Sequence, residues 1–268
     1  MQFQQRGKKN FEKFFDKSVI NRTGKLSGFV QRICKKTSAY HFVFGFLFSC
    51  CHGKSTFNKW ALQLSLLSGE RVSRQAVFDR LNHFYLGGGT ALSLQYGHRL
   101  SEDIDLFSEK DPDNNELEKL MRFYFADIES TNFHHTAFGI YCQLDNIKVD
   151  FMKWSEEWIG QYETENNIRI ASDEDIFSMK LQAAMTRGAK KDFFDLALLI
   201  EKYSLNQGIE WYRKKYPCND DIIPLKSLTD FEMAEDQTKP ILLKRKDWEN
   251  CKTIIINAVK EYVENGQP

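Results

Sequence analysis

Three consecutive glycines occupy positions 87–89 within FYLGGGTALSLQYG, and fourteen residues beyond the last of them stand two aspartates separated by one isoleucine. Glycine loses more backbone freedom on ordering than any other residue, so a triplet is costly inside a helix or strand and marks a tight passage between them. The pattern therefore predicts a short strand, a glycine turn and a helix. The first N–H groups of that helix lack intrahelical partners, and with Gly88, Gly89 and Thr90 at its start they form an anion site that bare backbone can approach closely. The DIDLF segment alternates polar and apolar residues, as a half-buried strand does. Asp103 and Asp105 then share a face while Ile104 and Leu106 enter the core. Carboxylates held side by side repel unless a cation joins them, and hard oxygen ligands suit magnesium, which completes its shell with phosphate oxygens and water. An exposed acidic strand edge is the alternative reading of the same spacing.

Further residues extend this constellation. Asp150 in KVDF alternates with Val149 and Phe151, so a neighbouring strand supplies a third carboxylate. Arg99 and Ser101 lie just before the aspartates, where a guanidinium and a hydroxyl hold a triphosphate. Lys180 and Arg187, seven residues apart, share one side of a helix. That spacing serves either phosphate binding or a solvated helix face. Asp192 and Asp195 also share a face, Asp192 being the candidate for chemistry, with helix capping or an ion pair to Arg187 or Lys191 as rival roles. Two metal ions bridged by three carboxylates activate a hydroxyl and stabilise a leaving pyrophosphate in an in-line displacement, which is nucleotidyl transfer. The same carboxylates acting on water instead describe a metal-dependent phosphohydrolase.

Downstream, DPDNNELEKLMRFYFADIES reads as a turn and a helix, and FGIYCQL with IKVDFM, flanking Asp-Asn, as a hairpin. ASDEDIFSMKLQAAMTRG predicts a helix capped by Ser172 or Asp173 and ended near Gly188. KKDFFDLALLIEKY predicts another, and the loop LTDFEMAEDQTKPILLK precedes a last helix, DWENCKTIIINAVKEYV.

The zero net charge conceals an asymmetry. Residues 1–83 carry 15 Lys/Arg against 4 Asp/Glu, leaving 22 against 33 for residues 84–268. A basic leader of that kind is either nucleic-acid-facing or a solvated face. Residues 11 to about 82 lack proline and read as short helices, the last two resembling a helix-turn-helix that offers Arg74, Gln75 and Arg80 to DNA, or else an ordinary helical hairpin. The six cysteines show neither a CxxC pair nor zinc-finger spacing, as expected of reduced thiols. The strongest apolar run, AYHFVFGFLFSCC, is too short to span a bilayer as a helix. The expectation is a cytoplasmic protein without membrane association.

Two resemblances follow from these residues. SGFVQRICKKTSAYHFVFGFLFSC with WALQLSLLSGERVSRQAVFDRLN, about residues 20–82, resembles the N-terminal helical region of insertion-sequence DDE transposases, and implies a DNA-binding or vestigial leader with a seam near His83. From about residue 84 to the C-terminus, including Pro240 and Trp248, the chain resembles the AbiEii/AbiGii nucleotidyltransferase toxins of bacterial abortive-infection and toxin–antitoxin systems. The residues carrying it are Gly88-Gly89-Thr90, Arg99, Ser101, Asp103-Ile104-Asp105-Leu106, Val149-Asp150-Phe151, Lys180, Arg187 and KDFFDL. This second resemblance implies an α+β fold with a polymerase-beta-like mixed sheet, flanking helices and a helical C-terminal part. It implies Asp103, Asp105 and Asp150 as ligands of two Mg2+ ions, Lys180 on the NTP and Asp192 assisting catalysis. An RNA acceptor, tRNA 3′ ends among them, or a protein hydroxyl, and a cognate antitoxin encoded nearby, belong to the same implication. The expected organisation is thus a basic helical leader, 1–83, and a nucleotidyltransferase domain, 84–268; a DNA-binding transposase fragment fused to an inactive body is the competing description.

Overall fold

A computed structural model describes residues 80–101, 103–124, 130–144, 147–165, 168–217, 222–244 and 247–265. The transposase-like segment and the helix-turn-helix reading lie outside the described residues, apart from the last residues before His83. There Arg80, assigned above to DNA, pairs through Nη1 with Glu116 at 2.8 Å. That is a contact between two exposed side chains.

The glycine turn forms as its sequence predicts. Strand β1 is Tyr85–Leu86 and helix α1 is Gly88–Tyr96, followed by β2, Ile104–Ser108, and α2, Asn114–Tyr124. Strands β3, Ser130–Thr136, β4, Gly139–Leu144, and β5, Ile147–Lys153, come next. The β4–β5 hairpin closes with Leu144 opposite Ile147 across the Asp-Asn dipeptide. Strands β6, Glu163–Glu165, and β7, Ile168–Ile170, complete the sheet. Helices α3, Asp173–Thr186, α4, Lys190–Tyr203, α5, Leu205–Lys215, α6, Ile222–Leu228, α7, Glu232–Glu235, and α8, Trp248–Glu264, form the C-terminal part.

Among the described residues the sheet has seven strands in the order β3-β4-β5-β2-β1-β7-β6. Strand β2 runs parallel to β5 and antiparallel to β1, and β1 runs parallel to β7. This is the mixed sheet of an α+β fold. Strands β3, β6 and β7 were not expected from the sequence. Strand β3 is a polar edge strand whose register shifts between Thr131 and His134, and β6 and β7 have only three residues each, too few for alternation to show.

The core explains why β2 and β5 sit centrally. Ile104, Val149, Phe151, Leu86 and Phe84 are buried, with Phe84 meeting the edge of Phe151 at 5.4 Å between ring centroids. Leu106 is half-buried instead of core, and Phe107 is buried on the face it shares with Asp105, against Trp154 at 5.1 Å. Both faces of β2 are therefore covered. Helices α3, α4 and α5 pack on one another through Phe177, Leu181, Phe193, Leu196 and Tyr212, and α8 closes on α4 with Cys251 and Ile255.

Capping follows the sequence closely. The Ser172 hydroxyl accepts from the Asp175 N–H at the start of α3, and Asp247 caps α8 by accepting from Asn250 N–H. Arg187 ends α3, and Gly188 follows at φ 49°. Cys142 and Cys251 are buried free thiols; burial pushes the Cys142 thiol up to about 12. Among the described residues no helix is long and apolar enough to cross a membrane.

Candidate active site

The turn and the carboxylate strand are tied together by the backbone. Gly87 N–H donates to the Asp105 carbonyl at 3.0 Å, and the Thr90 hydroxyl, fully buried, donates to the Asp103 carbonyl. Helix α1 starts on Gly87 without a side-chain cap. Its opening N–H groups therefore have no side chain of their own to satisfy them.

Each glycine after the first answers a steric demand. Gly88 has φ 63°, and a Cβ there would strike the Asp105 carboxylate; a Cβ on Gly89 would strike Arg99 Nη2, with Ser101 Oγ 3.2 Å away. Gly88→Ala is expected to destabilise the fold by about 1–2 kcal/mol, the cost of a side chain in the left-handed region, and to lower activity by displacing Asp105. Thermal melts and transfer rates check this, and an alanine variant with the wild-type melting temperature would show that the turn accommodates a Cβ.

Two of the predicted carboxylates meet across the sheet. Asp105 and Asp150 are direct partners on the parallel strands β2 and β5, so their side chains leave the same face from backbones about 4.8 Å apart. Asp103 immediately precedes β2. Burial raises the Asp105 carboxyl above the usual range; Lys180 opposes this, and the charges of Asp150 and Asp103 add to it. Burial likewise raises Asp150, against the pull of Lys148.

The cations divide into two sets. Lys180 is buried, its Nζ at 2.7 Å from both Asp192 Oδ1 and Asp195 Oδ2. Arg99 is buried too, donating from Nε and Nη2 to the two Asp195 oxygens at 2.6 and 2.8 Å and from Nη1 to the Leu100 carbonyl. His98 Nε2 completes the surroundings of Asp195 at 2.7 Å. Burial alone would raise Asp195, but Lys180 and Arg99 hold its carboxyl well below the usual range. Arg187 donates from Nε and Nη2 to Asp192 while its side chain stays 58% exposed. The segment after Pro240 is fastened beside this network, Leu242 bridging Arg99 and the Ile241 carbonyl accepting from Leu100 N–H. In the second set, Lys148 Nζ lies 2.5 Å from Asp150 Oδ2 and Lys191 Nζ lies 3.0 Å from Asp103 Oδ2.

The sequence places Arg99 beside a triphosphate, and the resemblance places Lys180 on the NTP; in the structure both engage Asp195, with Lys180 also on Asp192. Of the two rival roles left open for Asp192, the ion pair with Arg187 is present. Asp195, Lys148 and Lys191 were not among the candidate site residues. Asp195 carried a signal in its spacing from Asp192, and Lys148 in its spacing from Asp150, two residues along the same strand and so on the same face, whereas the pairing of Lys191 with Asp103 is set by tertiary packing.

Asp150 is 3% exposed, and its Oδ1 is buried without a hydrogen-bond partner. An orphaned carboxylate oxygen beside a second carboxylate raised by burial fits a divalent cation. Among the described residues no three His, Cys, Asp or Glu side chains are grouped to hold one ion by themselves. The pair thus suits an ion of magnesium's habit, whose remaining ligands come from water and phosphate.

Glycine turn, mixed sheet and paired carboxylates together suit phosphoryl-group chemistry, and comparison with known proteins makes the class specific. Residues 75–261 match the family described as "Nucleotidyl transferase AbiEii toxin, Type IV TA system". The chain belongs to this AbiEii nucleotidyltransferase family, and nucleotidyl transfer is its class of activity. The match begins inside the stretch attributed to a transposase leader, a resemblance that no comparison supports. An uncharacterized protein of Aquifex aeolicus, aq_aa25, is 36% identical over 194 residues, 69% of this chain and 90% of the relative. The crystal structure of JHP933 from Helicobacter pylori overlaps 73% of this chain and 92% of its own at 18% identity and a TM-score of 0.40. A second H. pylori structure overlaps 74% and 96% at 18% identity and a TM-score of 0.41. At that degree of overlap neither adds to the assignment.

Proposed function

We propose that the chain transfers a nucleotide from an NTP to a hydroxyl of an RNA acceptor, with magnesium at the Asp105–Asp150 pair, Asp103 as a further ligand beside it, and water and phosphate oxygens completing the shell. The observation that carries this reading is the in-register Asp105–Asp150 pair, with Asp150 Oδ1 buried and unpartnered, beside the uncapped glycine start of α1. The acceptor oxygen forms a bond to the α-phosphorus, the bond from that phosphorus to the bridging oxygen of the β-phosphate breaks, and pyrophosphate leaves. The acceptor's proton passes to a carboxylate beside the reacting hydroxyl. Magnesium, when bound, makes the hydroxyl more acidic and neutralises charge on the departing pyrophosphate.

Gly88, Gly89 and Thr90 supply N–H groups to phosphate oxygens, with Ser101 beside them. Arg187 is exposed enough to reach the polyphosphate. Lys180, Arg99, Asp192 and Asp195 join α3 and α4 to the end of the glycine-helix segment and keep the site rigid. The family's description as a toxin of a type IV toxin–antitoxin system supports a cognate antitoxin as partner and a role in phage defence.

Purified protein incubated with labelled NTPs, Mg2+ and total RNA is expected to label RNA, and EDTA or the Asp103→Ala/Asp105→Ala double variant to abolish it. Label on tRNA that is lost when its 3′ hydroxyl is first oxidised with periodate would identify the acceptor as a 3′ end. Release of free phosphate without labelled RNA would replace this reading with a phosphohydrolase, and a double variant as active as wild type would remove the site altogether.

A further inference from the structure

The cations of the site differ in what it costs to move them. Lys180 and Arg99 are each engaged by buried aspartate oxygens, and withdrawing either would leave a buried charge unpaired, a heavy penalty. Lys148 and Lys191 are unlike them. Their side chains are 51% and 43% exposed, each is held by a single carboxylate, and ion pairs of that exposure contribute little. They also flank the carboxylates from two elements, Lys148 from β5 and Lys191 from the first turn of α4. Their partners, Asp150 and Asp103, are the carboxylates proposed above to receive metal. A divalent cation on either oxygen of the same carboxylate takes up its negative charge, so metal binding weakens the hold on both lysines. An ammonium on a four-carbon stem, freed beside a metal site, is suited to pairing with phosphate oxygens.

We propose that Lys148 and Lys191 are exchanging cations: they hold Asp150 and Asp103 in the metal-free protein and move to the polyphosphate of the incoming nucleoside triphosphate when the carboxylates are taken by divalent ions. The inference rests on the nucleotidyl-transfer reading of this site and adds two substrate-binding residues to it. The exchange involves no covalent step. It keeps the carboxylates compensated before metal arrives and places two positive charges where the triphosphate adds several negative ones. The unpartnered Asp150 Oδ1 is the atom open to an ion while Lys148 still holds Oδ2.

This double duty gives opposite signs in two binding measurements. With Lys148→Met/Lys191→Met, Mn2+ alone, followed by electron paramagnetic resonance of the free ion, is expected to bind about three- to tenfold more tightly than to wild type, because competing positive charge is gone. The same variant, titrated calorimetrically with ATP, CTP, GTP and UTP in Mg2+, is expected to lose at least about tenfold in affinity for whichever nucleotide wild type binds, because charge-assisted contacts to phosphate are lost. Lys148→Arg/Lys191→Arg is expected to restore most of the nucleotide affinity. A merely structural role would move both affinities downward together, and that outcome overturns the exchange. So does a methionine variant with unchanged nucleotide affinity while wild type binds both ligands. Wild-type protein that binds neither Mn2+ nor any nucleotide would overturn the nucleotidyl-transfer reading itself, and the exchange with it.

Discussion

Asp105→Asn is expected to lower nucleotidyl transfer at least about 10³-fold, equivalent to ~4 kcal/mol of transition-state stabilisation, while leaving the fold intact. The amide has the shape of the carboxyl but neither its charge nor its basicity, and it cannot replace an anionic metal ligand. Stability is expected to move the other way at neutral pH. Burial, with Asp150 and Asp103 nearby, holds the Asp105 carboxyl above its ordinary value, so the folded state disfavours the ionised form. For a group raised in this way, stability is greatest below the unfolded pKa of about 3.9 and declines as pH rises through the folded value. At pH 7 the asparagine variant therefore melts at or above the wild-type temperature in metal-free buffer. The gap disappears below the ordinary carboxylate range, where both side chains are neutral. Initial rates of label transfer and melts at two pH values test this. A variant within threefold of the wild-type rate would remove Asp105 from the chemistry, and one that loses rate only because it unfolds would make the residue structural.

Asp195→Asn carries the largest expected loss of stability, about 3–5 kcal/mol, because it leaves Lys180 and Arg99 buried beside a neutral amide. Asp195 accepts from His98, from Nε and Nη2 of Arg99 and from Lys180, and so joins the segment after α1 to α3 through α4. For a body of this size the melting temperature is expected to fall by about 10 °C or more. Because Lys180 and Arg99 hold the Asp195 carboxyl well below its usual range, its contribution is present above the ordinary carboxylate pKa and is lost as pH falls through the depressed folded value. The difference between wild type and variant is thus full at pH 7 and narrows only in strong acid. Chemical denaturation at neutral and acidic pH measures it. An asparagine variant that melts within 2 °C of wild type at pH 7, a shift of roughly 1 kcal/mol or less, would mean that the network adds rigidity without stability.

Much of the architecture was readable because it rests on local rules. The Gly88 turn, the α3 cap at Ser172 and the span of α4 are each decided by residues within a few positions of one another, and the structure reproduces them. Strands β3, β6 and β7 were not readable, since a polar edge strand and three-residue strands bury too little to impose a pattern. The ion network was not readable in the sequence. Arg99 and Lys180 look in sequence like cations free to meet phosphate, but burial decides whether a charge is free, and burial is a property of packing. Leu106 and Phe107 make the same point for apolar residues, since alternation alone assigned the core to Leu106 while Trp154 covers Phe107 on the other face.

The sequence by itself determined the chemistry on offer: a glycine passage into a helix, two aspartates a strand period apart, a third within another strand, and a helical C-terminal part. These follow from steric freedom, residue periodicity and charge, all short-range. Only the tertiary structure decided that Asp105 and Asp150 are partners in a parallel pair, that Asp195 neutralises the buried cations, and that Lys148 and Lys191 are the half-exposed ones. Which strands pair, and which charges lose their water, depends on residues far apart in the chain, where the penalty for an unpaired buried ion selects one arrangement over the others.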